Sequence, residues 1–186
     1  MKAIDDNTAL LLIDVQVGLD DPRLGRRNNP DAERNMARLL AAWRARGRPV
    51  FHVRHMSTEP DSPLRPELPG NAIKSEVAPR GGELVIQKQV NAAFIGTDLS
   101  QRLNQAGIQS LVIVGLTSDH CVSSTARMAG DLGYRAIVVA DATAAHEVRS
   151  YDGTLHSAET VHELALANLH QEFATILTTE QVLSLG

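Results

Sequence analysis

The pattern that most constrains this chain is a set of short apolar runs with almost no polar interruption. Thr8-Ala9-Leu10-Leu11-Leu12-Ile13-Asp14-Val15 has no hydrophilic side chain between Ala9 and Ile13. A strand built from it must be covered on both faces, which is the condition of a parallel sheet flanked by helices. Similar runs stand at 49–53, 83–86, 110–114 and 135–140, with a weaker sixth at 174–177. Between several of them the apolar period becomes helical: Met36, Leu39, Leu40 and Trp43 follow i, i+3, i+4, i+7. Leu99, Leu103 and Ala106 share a face, as do Val122, Ala126, Ala129 and Leu132. Gly47, Gly107 and Gly133 close these segments directly before a strand, where a left-handed residue ends a helix. The alternation specifies an α/β fold joined by right-handed crossovers.

The 186 residues suffice for one well-filled core, and no linker or change of composition divides them, so one domain over residues 1–186 is expected. A net charge of −4 with scattered basic residues and 3% aromatics gives no footprint for nucleic acid. The N-terminal stretch Met1-Lys2-Ala3-Ile4-Asp5-Asp6 turns acidic before any apolar run, and no run is long enough to span a bilayer. Neither export nor membrane insertion is expected. Cys121 is the only cysteine, so no internal disulfide forms and a reduced thiol in the cytoplasm is the expectation.

Residues 55–82 break the rhythm with Pro60, Pro63, Pro66, Pro69, Pro79 and three glycines. So long a connection often covers a site or an interface, and a partial lid is expected. A surface excursion is the alternative.

In an open parallel sheet, ligands bind beyond the carboxyl ends of the strands, where strand order reverses. Asp14 ends the first run, Lys88 follows the third, and Cys121 follows the fourth where a helical pattern begins. A thiol there meets the positive end of a helix dipole, which favours thiolate. Taken singly, Asp14 reads as a loop cap, Lys88 as a solvated lysine and Cys121 as a small buried hydrophobe. Together they form a self-consistent set, with Lys88 offsetting negative charge and Asp14 accepting the thiol proton.

Three segments then carry a family resemblance: Leu12-Ile13-Asp14-Val15-Gln16; the lysine of Lys88-Gln89-Val90-Asn91-Ala92-Ala93-Phe94; and Gly115-Leu116-Thr117-Ser118-Asp119-His120-Cys121-Val122. They resemble the three signatures of the isochorismatase-like cysteine hydrolases, in family order, within a similarity running from about residue 8 to 178. The resemblance implies a three-layer, Rossmann-like αβα architecture with a six-stranded parallel sheet. It also implies an Asp14-Lys88-Cys121 triad and a non-proline cis peptide at Leu116–Thr117. The N–H groups of Thr117 and Cys121 would then serve a developing oxyanion. Gln16, Asn91, Phe94 and His120 are the expected substrate contacts, Phe94 having core packing and His120 a turn cap as alternatives.

The implied activity is hydrolysis of a small amide, ureido or carbamoyl compound through a thioester. An ester or lactam hydrolase, or a non-catalytic protein bearing a reactive thiol, are the competing readings. Nicotinamidases in this superfamily bind a metal through Asp-x-His after the second strand, but here Val53-Arg54-His55 has valine in the aspartate position. The spacing of His52 and His55 also suits two ligands on one ion poorly, so no metal and no cofactor are expected. His146, His156, His162 and His170 are expected to be exposed in or beside a late helical region. Relatives often assemble, which implies a homo-oligomer with part of 55–82 near a subunit boundary.

Overall fold

The computed structural model describes residues 4–186; the first three residues of the acidic N-terminal stretch lie outside it. Six strands form one parallel sheet: β1 (Ala9–Ile13), β2 (Val50–His55), β3 (Leu84–Lys88), β4 (Ser110–Leu116), β5 (Arg135–Ala144) and β8 (Thr175–Leu177). Their order is β3-β2-β1-β4-β5-β8. The chain winds outward from β1 through β2 to β3, then crosses back to lay β4 on the other side of β1. Strand order therefore reverses between β1 and β4. A two-stranded hairpin, β6 (Val148–Arg149) and β7 (Leu155–His156), lies outside the sheet.

The continuous apolar run of β1 has a direct explanation. Leu11 and Ile13 belong to one core, with Ile113, Val122, Ala126 and Leu103, while Leu10 and Leu12 belong to a second with Met36, Leu39, Trp43 and Val114. Successive strand side chains point to opposite faces, so both parities of β1 are buried. Each such leucine contributes about 2 kcal/mol of burial free energy. The second core is closed by α1 (Ala32–Ala45) and α5 (Thr179–Leu185), the first by α2 (Leu99–Gln105), α3 (Cys121–Asp131) and α4 (Ala158–Leu169). No helix among the described residues is long and apolar enough to cross a membrane.

Residues 55–82 are a packed wall, and the alternative of a surface excursion fails. Asn71, wholly buried, donates through its side chain to the carbonyls of His55 and Leu64. Lys74 reaches Glu33 of α1 at 2.5 Å and Asp20 at 2.6 Å, and Arg27 adds a second cation on Glu33 at 2.6 Å. Burial would raise Glu33, but its hydrogen bonds to Arg27 and Lys74 prevail and hold the carboxyl at about 2. The ion cluster thus ties the proline-rich segment to the first helix, and Ser62 and Leu64 from this segment face the site described next.

Candidate active site

β1 stops at Ile13 because Asp14 adopts φ 48°, a left-handed conformation seldom taken by a residue with a side chain. Its N–H still donates to the Val53 carbonyl at 2.9 Å. The carboxylate is 1% exposed, and its Oδ1 is excluded from solvent without a hydrogen-bond partner. A buried anion needs a cation. Lys88, also 1% exposed, supplies it: Nζ donates to Asp14 Oδ2 at 2.6 Å. The lysine ends the edge strand β3 in register with His55, so its stem crosses the end of β2 to reach Asp14.

Gly115 brings the nucleophile loop to the same place. At φ 126° it passes so close to β1 that a Cβ would sit 2.1 Å from the Ile13 carbonyl oxygen. The Leu116–Thr117 peptide bond that follows is cis. Cys121 opens α3 and puts Sγ 3.3 Å from Lys88 Nζ and 3.7 Å from Asn91 Oδ1. Ser118 N–H donates to the Ala144 carbonyl and Val122 N–H to that of Thr117, yet the N–H groups of Thr117 and Cys121 make no hydrogen bond among the described residues. Two residues bounding the cavity described below thus keep unpaired backbone donors.

The electrostatics correct one expectation. Burial pushes the Cys121 thiol up to about 12, with the Asp14 charge adding to the effect and Lys88 opposing it. Desolvation outweighs the pull of Lys88, which favours the thiol form of Cys121. Burial also raises the Asp14 carboxyl, against the pull of Lys88. A carboxylate made more basic lies within 4.8 Å of a thiol made less acidic, an arrangement for moving a proton from sulfur to oxygen during attack.

A cavity of about 500 Å³ opens on this cluster, bounded among others by Leu19, Leu64, Asn91, Thr117, His120 and His146. Asn91 and His120 therefore line it as expected. His120 is raised by the Asp119 carboxylate 2.8 Å from its Nδ1. Two expected contacts lie elsewhere. Phe94 is buried in the first core, its ring stacked on Tyr134 at 5.8 Å, because an aromatic ring six residues past the end of β3 finds more apolar surface there. Gln16 is wholly buried and works as a clamp: its amide accepts from the His55 N–H and donates to the carbonyls of His55 and Asn71.

Two of the late histidines, His146 and His162, also depart from expectation, whereas His170 is exposed as expected. His162 is buried, bonded to Ser118 Oγ at 2.8 Å and near Asn29, and His146 follows β5 into the cavity wall with Nε2 on the Leu19 carbonyl. His146 belongs to no apolar run or helical period, so no sequence signal pointed to the cavity. His52 faces Glu83 at 2.9 Å, away from the site, whereas His55 lies beside Lys88.

Asp14, His55 and Cys121 offer three ligand atoms within 4.8 Å of one another, the only such group among the described residues. The space between them is taken. Lys88 Nζ contacts Asp14 Oδ2 at 2.6 Å, His55 Nδ1 at 3.0 Å and Cys121 Sγ at 3.3 Å, using its three N–H donors. The protein's own ammonium sits where a metal ion would, and the residues do not fit a second cation.

A parallel α/β sheet with a buried carboxylate, ammonium and thiol gathered at its reversal point is the setting of a hydrolase. The isochorismatase domain family matches residues 8–181, and the chain belongs to that family of hydrolases. It is 44% identical over 181 residues to the isochorismatase family protein YrdC of Bacillus subtilis, covering 97% of each chain. A crystal structure of an isochorismatase-family protein from Chromobacterium violaceum superposes with a TM-score of 0.95 at 44% identity, covering 100% of this chain and 96% of that one. A streptothricin hydrolase of Streptomyces noursei is 33% identical over 154 residues, 81% of this chain and 60% of its own length.

Proposed function

We propose that the protein is a cysteine-dependent hydrolase of a small amide, ureido or carbamoyl compound, working through a thioester on Cys121. The observation that carries this reading is the convergence of Asp14 and Cys121 on the buried Lys88 ammonium, with a carboxylate oxygen of Asp14 within 4.8 Å of the sulfur. A sensor thiol needs no such base. Asp14 takes the thiol proton as Sγ bonds to the carbonyl carbon, and the C=O electron pair moves to oxygen. The free N–H groups of Thr117 and Cys121 donate to that oxyanion, each such donor contributing about 3 kcal/mol. Collapse breaks the C–N bond while Asp14 gives its proton to the departing nitrogen. Water then loses a proton to Asp14 and attacks the thioester; the C–S bond breaks, the acid leaves and the thiol is restored. Lys88, in contact with both Asp14 and Cys121, offsets the negative charge as it passes between them.

The relative named a streptothricin hydrolase supports a hydrolytic reading without fixing the substrate. A homo-oligomer, a metal-free and cofactor-free site, a single domain and a cytoplasmic setting belong to the same proposal. Ammonia release across a panel of simple amides and ureido acids, with ring opening followed for lactams, tests it when run beside Cys121→Ala. Release by the native enzyme and none by the variant is expected; equal release by both would end the thiol mechanism.

A further inference from the structure

One side chain beside the triad has no part in the reaction just described. His55 ends β2, and both of its backbone groups are held by Gln16, the N–H at 2.8 Å and the carbonyl at 3.1 Å. The ring is thereby fixed against Lys88, whose Nζ is 3.0 Å from Nδ1. An ammonium can only donate, so Nδ1 must accept, and the proton of a neutral imidazole then resides on Nε2. Burial, helped by the charge of Lys88, lowers His55 to about 4 and keeps the ring neutral. Nε2 has no hydrogen-bond partner among the described residues, is not one of the solvent-excluded unpartnered atoms, and belongs to a residue lining the cavity.

We infer that His55 is a specificity-determining residue: Lys88 fixes it as the Nε2–H tautomer, and that N–H donates to an acceptor oxygen of the substrate close to the scissile carbonyl. The inference rests on the amide-hydrolase reading and narrows its substrate class to small amides carrying a second carbonyl or carboxylate oxygen. A plain aliphatic amide of the same shape would desolvate the N–H and leave it unpaired. A site built to pair a polar group rejects analogues that lack it more strongly than an apolar pocket rejects a change of size.

The test uses malonamide and isovaleramide, which share a branched heavy-atom skeleton and differ in a second carboxamide against an isopropyl group, as protectants of Cys121 against iodoacetamide at mildly alkaline pH. Malonamide is expected to protect the native enzyme at a concentration about tenfold or more below that of isovaleramide. His55→Asn keeps an amide oxygen where Nδ1 stood but has no atom at Nε2. It should hold unprotected alkylation within about twofold of native while the preference falls to about twofold or less. No preference in the native enzyme, a preference that survives His55→Asn, or its loss together with an equal loss of alkylation would overturn the inference. Imidazole ¹⁵N NMR provides a readout that needs no thiol chemistry. Nε2 should carry the proton, a bias lost in Lys88→Met; a proton on Nδ1, or a bias unchanged in Lys88→Met, would overturn the assignment. Failure of the thiol reading shows itself separately, as Cys121→Ala retaining hydrolysis.

Discussion

Asp14→Asn should move two measurements in opposite directions. The native carboxylate and sulfur lie within 4.8 Å, and at an effective dielectric constant of roughly 20 two unit charges at that distance repel by about 3 kcal/mol. At 1.36 kcal/mol per pKa unit, removing the Asp14 charge lowers the thiol by about two units and raises the thiolate fraction near neutral pH about a hundredfold. A thiolate of lower pKa is also a weaker nucleophile, with a Brønsted slope of about 0.5, which returns about tenfold. Alkylation of Cys121 by iodoacetamide should therefore run about tenfold faster in Asp14→Asn. Hydrolysis has lost its general base and should fall by about a thousandfold. The two rates are read by mass spectrometry of the alkylated peptide and by ammonia release. Slower alkylation in Asp14→Asn would refute the reasoning, because it would mean that Asp14 already holds the thiol proton in the resting enzyme.

Lys88→Met removes the cation that opposes the rise of the thiol, so alkylation should slow about tenfold and its pH profile move upward; an unchanged profile would make the lysine a spectator. Gly115→Ala places a methyl group 2.1 Å from the Ile13 carbonyl oxygen, so the variant should lose soluble expression or all activity, and a native melting curve with full activity would contradict the close approach. Glu33 is held at about 2 when folded against an ordinary 4.5, so its contribution is present above pH 4.5 and is lost as pH falls toward 2. Glu33→Gln should accordingly cost about 2 kcal/mol at neutral pH and flatten acid unfolding between those limits, as followed by circular dichroism. Exhaustive chelation should leave hydrolysis intact, and light scattering should give a mass above the 20.1 kDa of one chain; recovery of lost activity by added zinc, or the monomer mass, would contradict these two expectations.

The sheet was legible because burial on both faces leaves an unbroken apolar run, and all six runs are strands. Their carboxyl ends were harder to read. β2, β3 and β4 continue through His55, Lys88 and Leu116 after the apolar pattern has ended, since backbone pairing continues where side chains turn toward the cavity. Asp14 and Lys88 were visible as polar residues at strand ends, and Cys121 as a lone thiol at a helix start. Gln16 and Phe94 stood in the same signatures, but proximity in sequence does not say which face a residue takes: one became a backbone clamp and the other core. His55 and His146 were missed as cavity residues because their positions depend on Gln16 and on the path beyond β5, tertiary facts with no local period. The state of Cys121 was misjudged for a related reason. Sequence reveals a helix start and a nearby lysine but not the desolvation that opposes them.

The central claim is that Cys121 carries the acyl group during turnover, and acid quenching in the steady state followed by intact mass measurement tests it directly. With a compound that releases ammonia, the account predicts an added mass equal to the acyl fragment without its nitrogen, mapped to the peptide holding Cys121, sensitive to hydroxylamine and absent from Cys121→Ala. Turnover by the native enzyme with no adduct at any quench time, together with ammonia release by Cys121→Ala, would contradict it.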